Sequence, residues 1–144
     1  MKTPKQKAWD QMSRYIRLRD SLDYCKMMRI DTSQFNSEKD LPVKCCTCGA
    51  VKSWKYMDAG HFISRGSHGA SGVYFDERNV HAQCKSCNAF HQGRAEEYRK
   101  FMLNKYNPRV IYELERKNIL QCDTHYEALM VFYKGAYDGL CMQI

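Results

Sequence analysis

Two pairs of cysteines carry the clearest chemical signal in this sequence. Cys45 and Cys48 form one C-x-x-C pair, and Cys84 and Cys87 form a second pair, with 35 residues between Cys48 and Cys84. Each pair can offer two thiolates from one tight turn, and four thiolates complete the tetrahedral site that structural zinc prefers. A redox dithiol would need a thioredoxin-like βαβ context, which the surrounding pattern lacks. The spacing therefore predicts a structural Zn²⁺ ion bound by these four cysteines.

The segment between the two pairs holds several groups that can transfer protons or bind metal. It contains Asp58, His61, His68 and His81, although a small zinc ribbon needs only about 15 to 20 residues between its pairs. The segment is therefore expected to do more than join the two turns. A histidine near its ordinary pKa is mostly neutral at about pH 7 to 8, so His61 is a suitable general base.

The remaining histidines and cysteines have simpler interpretations. His81 either lines the site or is a hydrogen-bonded structural residue, and His68, in a glycine-rich loop, faces solvent or DNA. His125 is expected to be structural. Cys46 is an alternative to Cys45 as the first zinc ligand, but Cys45 has the standard C-x-x-C spacing to Cys48. The other cysteines are expected to be small buried hydrophobic residues: Cys25, Cys122 and Cys141.

Two strands and a helix are predicted to position these groups. Residues 58–63 and 79–84 have strand character, and the second strand leads into the second cysteine pair. Cys87 then begins a helix with Asn88 and His91 in its first turn. With zinc holding the ends, this arrangement brings four polar side chains within reach of one another: His61, Asn79, Asn88 and His91.

Helical patterns flank this middle segment. Pro4 to about Tyr24 predicts an amphipathic helix, with Trp9, Met12 and Ile16 on one face. Further helices are predicted on either side of Asn107-Pro108 and over 124–137. The fold class is therefore predicted as α+β in a single domain. Its parts are an N-terminal helix (1–28), a zinc-containing core (42–93) and C-terminal helices (94–144).

The composition favours an anionic partner. The chain has 23 Lys+Arg and 16 Asp+Glu residues, a formal charge of +7, which makes nucleic acid the first candidate. Cytoplasmic localisation without a membrane anchor is expected, because the first dozen residues lack an apolar stretch and eight cysteines suit metal binding. The predicted DNA contacts are basic side chains around the core and on the N-terminal helix: Arg65, Arg78, Lys85, Arg94, Arg14 and Arg17.

Three short motifs resemble those of the HNH nucleases. Residues 59–62 (AGHF) are similar to the first histidine motif of that family, and 87–91 (CNAFH) to its closing motif. Asn79 occupies the position of the central asparagine. The resemblance implies a zinc-clamped ββα-metal core in which Asn79 orients the His61 imidazole. It also implies that Asn88 and His91 hold one divalent ion, Mg²⁺ or Mn²⁺, for phosphodiester hydrolysis.

A narrower resemblance is to the NinG (Rap) recombination proteins of lambdoid phages. It rests on 15–20 (YIRLRD), 59–62, 75–84 (FDERNVHAQC) and 97–100 (EYRK), within about residues 9 to 117. It implies structure-specific cleavage of branched DNA, including Holliday junctions, in the cytoplasm of a bacterial host. Symmetric cutting needs two active sites, so a homodimer is expected, formed through the C-terminal tail or the apolar face of the first helix.

One position departs from the common HNH pattern. An acidic metal ligand usually precedes the histidine base, and here that position is Gly60. Asp58 is the nearest carboxylate, but on a regular strand it points away from His61 unless Gly60 forms a bulge. Asp76 or Glu77 are the other candidates. The alternative to a nuclease is a non-catalytic zinc-stabilised module that binds nucleic acid.

Overall fold

The computed structural model describes residues 1–35, 37–64, 72–120 and 123–144. It is a mixed α+β structure with four α-helices and two small antiparallel sheets in these ranges. The helices are α1 (Pro4–Met27), α2 (Ala95–Lys105), α3 (Pro108–Asn118) and α4 (Tyr126–Cys141). The strands are β1 (Pro42–Lys44), β2 (Val51–Ser53), β3 (Met57–His61) and β4 (Val80–Cys84).

The long helix α1 is the central element of the fold. Thr3 caps its first turn together with Gln6, and Pro4 occupies the first helical position, where no N–H partner is needed. Met12 and Ile16 pack against Val80 of β4 and Tyr133 of α4, whereas Leu18 and Cys25 pack with β1 and Trp54. The helix is thus covered on two sides, and its apolar face is buried in the core. That face is therefore not the exposed dimer surface that the sequence suggested.

The β3–β4 hairpin lies beside α1 and joins the two cysteine pairs. Its register is regular, with Met57 opposite Cys84 and His61 opposite Val80. The strand pair β1–β2 surrounds the first cysteine turn. A short π-helical segment, Ser86–Phe90, follows β4 in place of the α-helix expected to begin at Cys87. The two strands predicted around His61 and before Cys84 are therefore present, whereas the helix after Cys87 is shorter and wound differently.

The C-terminal helices follow the sequence pattern closely. Asn107-Pro108 separates α2 from α3, and the Asn107 side chain caps α3 by accepting from Val110 N–H. A third core cluster joins these helices to the middle segment through buried apolar side chains: Val73, Tyr98, Met102, Ile111 and Leu114. Phe132 on α4 is 60% exposed. Within the described ranges, no helix is long and apolar enough to cross a membrane.

Candidate metal centre and adjoining cavity

The four predicted cysteines converge at one point. The Sγ atoms of Cys45, Cys48, Cys84 and Cys87 all lie within 4.8 Å of one another, and those of Cys48 and Cys84 are 3.7 Å apart. Cys46 is not in the group. The β3–β4 hairpin carries Cys84 back to the first turn, so residues distant in sequence become neighbours. A set of four thiolates at this spacing suits one tetrahedral metal ion, for which Zn²⁺ is the usual choice.

Backbone N–H groups support the cysteine cluster. The N–H of Cys84 donates to Cys45 Sγ at 3.2 Å, and the N–H of Cys87 donates to Cys84 Sγ at 3.5 Å. Burial raises the pKa of the Cys45 thiol, but backbone N–H groups of Cys48 and Cys84 outweigh burial and lower this pKa to about 6. Gly49, at φ +80°, closes the first turn in a conformation that favours glycine. The thiolate is thus favoured at Cys45, whereas burial raises the pKa of Cys84 to about 12.

Arg94 belongs to the cysteine cluster and is bound to it directly. Its guanidinium Nε donates to Cys87 Sγ at 3.1 Å. The residue adopts φ +48° at the start of α2, where the chain turns after Gly93. Arg94 was predicted as a DNA contact, and the structure places it as a charged hydrogen-bond donor to a metal-binding sulfur. Such outer contacts orient ligands and tune their charge.

His61 lines a cavity of about 330 Å³ next to this centre. Its Nε2 atom lies 2.9 Å from the carbonyl oxygen of Tyr74. Because a carbonyl oxygen can only accept, Nε2 carries the proton, and Nδ1 carries the lone pair in that tautomer. The other lining residues are Trp9, Ala59, Ser64, Tyr74 and Asn88. This geometry gives His61 the tautomer that a base needs.

Asn79 acts on the backbone around His61. Its buried side chain accepts from Ile63 N–H at 2.8 Å and donates to the carbonyl oxygens of Ile63 and Val73 at 2.9 and 3.1 Å. The Tyr74 carbonyl that holds His61 directly follows Val73. Asn79 was expected to orient the imidazole. The hydrogen bonds of its side chain instead hold the two chain segments that carry His61 and its partner.

Asp58 reaches the cavity residue Asn88 without any bulge. Its Oδ2 accepts from Asn88 Nδ2 at 3.1 Å, and its Oδ1 pairs with Lys85 Nζ at 2.7 Å. The strand register stays regular through Gly60, so the expected bulge is absent. Asn88 instead lies next to Asp58, because the π-helical segment that carries Asn88 follows β4 directly and packs beside the hairpin. Asp58 thus contacts Asn88, which lines the cavity together with His61.

The other candidate ligands lie elsewhere. The His91 side chain is exposed and does not line the cavity. Asp76 binds Arg78 and Lys117, and Glu77 contacts Arg19 and Tyr133. In the described part of the chain, the four cysteines are the one group of three or more His, Cys, Asp or Glu side chains with converging ligand atoms.

His81 is a structural residue. It is 1% exposed, and its ring nitrogens lie 3.2 and 2.8 Å from the hydroxyls of Tyr98 and Tyr106. Burial holds its pKa well below the ordinary value, and the nearby charge of Arg19 adds to this effect. Of the two interpretations open from sequence, the hydrogen-bonded one is correct.

Several predicted DNA contacts have protein partners. Arg14 stacks 3.7 Å above the Tyr137 ring, and Arg17 packs over Trp54, so both are half-buried between elements. Arg78 pairs with Asp76 and Glu113. Lys85 is exposed and pairs with Asp58. Arg65, His68 and Cys122 lie outside the described residues.

Three residues of α1 bear on the site in ways that sequence reasoning missed. Asp20 Oδ2 accepts from Ala82 N–H at 2.7 Å, and Arg19 donates to the carbonyl oxygens of Glu77 and Val80. This adjacent ion pair fastens α1 to the free edge of β4. Trp9, predicted as a core residue, stacks on His61 with ring centroids 4.6 Å apart. For the contacts of Arg19 and Asp20, the available sequence signal was an Arg-Asp pair that follows the apolar residues of α1.

The fold and the site define an α+β protein with a candidate four-cysteine metal site and a cavity lined by His61. The family described as "Bacteriophage Lambda NinG protein" matches residues 2–135, and the chain belongs to this family. The match extends past the end at about residue 117 that the motifs suggested, and it includes α3 and much of α4.

Individual relatives give the same assignment. The chain is 31% identical over 102 residues to Protein ninG of Escherichia phage 933W, covering 71% of this chain and 49% of that protein. It is 30% identical over 102 residues to the ninG proteins of Salmonella phage P22 and Escherichia phage lambda, covering 49% and 48% of them. The chain thus spans about half the length of these relatives. No solved structure matches it.

Proposed function

We propose that this chain is a metal-dependent, structure-specific DNA endonuclease of the HNH type. It hydrolyses phosphodiester bonds in branched recombination intermediates such as Holliday junctions. The observation that carries the proposal is the placement of His61, whose Nε2–H donates to Tyr74 while the ring lines a cavity shared with Asn88. NinG family membership and the resemblance to HNH motifs supply the substrate class.

His61 acts as the general base in this mechanism. With Nε2 protonated by its bond to the Tyr74 carbonyl, Nδ1 accepts a proton from the attacking water. The oxygen of that water forms a bond to phosphorus as the bond to the leaving sugar oxygen breaks. Asn79 keeps the two backbone segments in register during this step, since its amide ties Ile63 to Val73.

Asp58 and Asn88 would hold the catalytic ion. Both side chains carry oxygen atoms that can bind a cation, and Asn88 lines the cavity. Asn88 donates through Nδ2 to Asp58 in this structure, so its amide would turn its oxygen toward the ion on binding. Oxygen ligands suit Mg²⁺ and Mn²⁺. When bound, such an ion stabilises negative charge on the phosphate and on the leaving oxygen. Lys85 pairs with Asp58 in this structure and lies beside the same position, where it can contact a phosphate. His91 remains the ligand implied by the family motif.

The decisive experiment is a cleavage assay on synthetic four-way junctions with Mg²⁺ or Mn²⁺. Wild type is expected to cut, and His61→Ala is expected to lose at least about a hundredfold in rate, as when a general base is removed. His125→Ala is the matched control, because His125 is an exposed histidine ahead of α4. Flap and linear duplex substrates in the same assay show which DNA structure is cut preferentially.

The outcomes separate the two candidate functions. Binding of junctions without cleavage by wild type supports the non-catalytic zinc-stabilised module. Equal cleavage by wild type and His61→Ala contradicts the nuclease mechanism, and absence of both binding and cleavage contradicts both functions. Asp58→Asn tests the metal pair: it should raise the Mg²⁺ concentration needed for half-maximal cleavage. Asp23→Asn, which changes an exposed carboxylate outside the cavity lining, should not.

A further inference from the structure

We propose that Trp9 is a positioning residue for the His61 imidazole. This inference rests on the proposed role of His61 as the base. The indole of Trp9 and the imidazole of His61 are stacked, with centroids 4.6 Å apart and ring planes inclined by 23°. Trp9 is half-buried and lines the same cavity as His61. The N-terminal turns of α1 thus form one wall of the candidate active site.

Two of the contacts that the imidazole makes act on the direction in which it points. The hydrogen bond to the Tyr74 carbonyl holds Nε2 at one point, at 2.9 Å. A ring held at one point can still tilt, because the terminal torsion of histidine is broad. The Trp9 stack restricts the plane of the ring. With the plane and one nitrogen both held, the Nδ1 lone pair keeps a single direction.

Tyr74 links the two contacts. Its ring lies 5.1 Å from that of Trp9 and 4.5 Å from that of His61, so the three rings form a triangle. Lys5, one turn before Trp9, places its ammonium 4.4 Å from the Tyr74 ring centroid. Loss of the indole therefore removes two of the three ring contacts, those to His61 and to Tyr74, while the carbonyl of Tyr74 stays in place. The predicted consequence is a tilted imidazole and a weakened Nε2–H bond.

The test compares Trp9→Leu and Trp9→Phe in the full chain. Trp9→Leu should lower kcat for junction cleavage by roughly tenfold, in keeping with the loss of one aromatic contact, with a change in KM of less than about twofold. Trp9→Phe retains a ring and should recover most of the rate. Tyr56→Leu is the control, because Tyr56 is a 58% exposed aromatic residue outside the cavity lining.

A second readout does not depend on cleavage. Nitrogen chemical shifts of the His61 ring, measured by NMR on the uniformly labelled chain, should report Nε2–H in wild type and a mixture of tautomers in Trp9→Leu. Unchanged kcat and unchanged tautomer in Trp9→Leu would overturn the proposal. A rise in KM with constant kcat would also overturn it, since Trp9 would then contact DNA. If wild type does not cleave, the proposed nuclease fails, while the tautomer measurement still decides the role of Trp9.

Discussion

Gly60 on β3 lies directly against the side chain of Gln83 on β4. A Cβ atom at Gly60 would lie 2.0 Å from the Gln83 side-chain oxygen and 3.0 Å from its Cβ and Cδ atoms. Gln83 cannot easily move away, because its buried amide donates to Thr47 Oγ1 and to the Gly93 carbonyl. Gly60, directly before His61, is thus required by packing. The carboxylate beside the cavity is Asp58, two residues earlier.

Gly60→Ala is therefore expected to destabilise the fold. Moving Gln83 breaks its two hydrogen bonds, at a cost of about 2 kcal/mol, less the gain of below about 1 kcal/mol that alanine usually brings to a strand. Urea unfolding of both variants gives the measurement. In the Gln83→Ala background the same substitution should be close to neutral. A neutral Gly60→Ala in the wild-type background would contradict this account.

Removal of one cysteine ligand should abolish zinc binding and unfold the middle segment. We expect Cys84→Ser to lose bound zinc and its cooperative thermal transition, because structural zinc contributes folding free energy directly. Metal analysis and circular dichroism melts report the two effects. Cys141→Ser, which changes a half-buried cysteine on α4, should keep one zinc per chain. A cooperative melt of wild type after complete zinc removal would refute the prediction.

Asp76 should make stability depend on acid pH. Burial raises its pKa, but hydrogen bonds from Arg78 and Lys117 outweigh burial and lower this pKa to about 2. The unfolded carboxyl titrates near about 3.9. Stability from this group is therefore complete above that value and is lost as the pH falls through about 2. After allowance for solvent screening, it amounts to about 1 to 2 kcal/mol.

The variant Asp76→Asn tests the direction of this pH dependence. Its deficit in unfolding free energy should be present at about pH 7 and should shrink as the pH falls from about 4 toward 2, because the unfolded carboxyl is protonated first and the native one only at about pH 2. Comparison with wild type at each pH cancels zinc release, which both proteins share. Asp10→Asn, which disrupts an exposed pair with Lys2, should change stability little at either pH. A deficit that is independent of pH would contradict the assignment.

Symmetric cutting of junctions predicts a homodimer, and α4 is the remaining candidate interface. Val131 and Phe132 are 67% and 60% exposed on this helix. Phe132→Glu should weaken self-association by roughly tenfold or more, because a buried carboxylate at an apolar interface is costly. Sedimentation velocity gives the measurement, with Tyr112→Glu on α3 as the control. A wild-type chain that stays monomeric at high concentration would contradict the dimer.

Local patterns in the sequence were sufficient to predict much of the structure of this protein. The C-x-x-C spacing determined the four metal ligands, since each pair needs only one tight turn to place its sulfurs. The capping residues and Asn107-Pro108 determined helix boundaries in the same local way. Both strands around His61 were also predictable, because alternating apolar residues and turn residues lie within a few positions of each other.

The surroundings of His61 depended on the tertiary structure. Trp9 stacks on this histidine, and Asp20 fastens α1 to β4, only because helix and hairpin pack together. The same packing half-buries Arg14 and Arg17, which the sequence had suggested as DNA contacts. Contacts between distant segments depend on which faces of the helices and strands pack together. A periodic pattern predicts the apolar face of each element but not the element that packs against it. The sequence by itself therefore determined which groups can do chemistry here, and long-range packing decided what holds them.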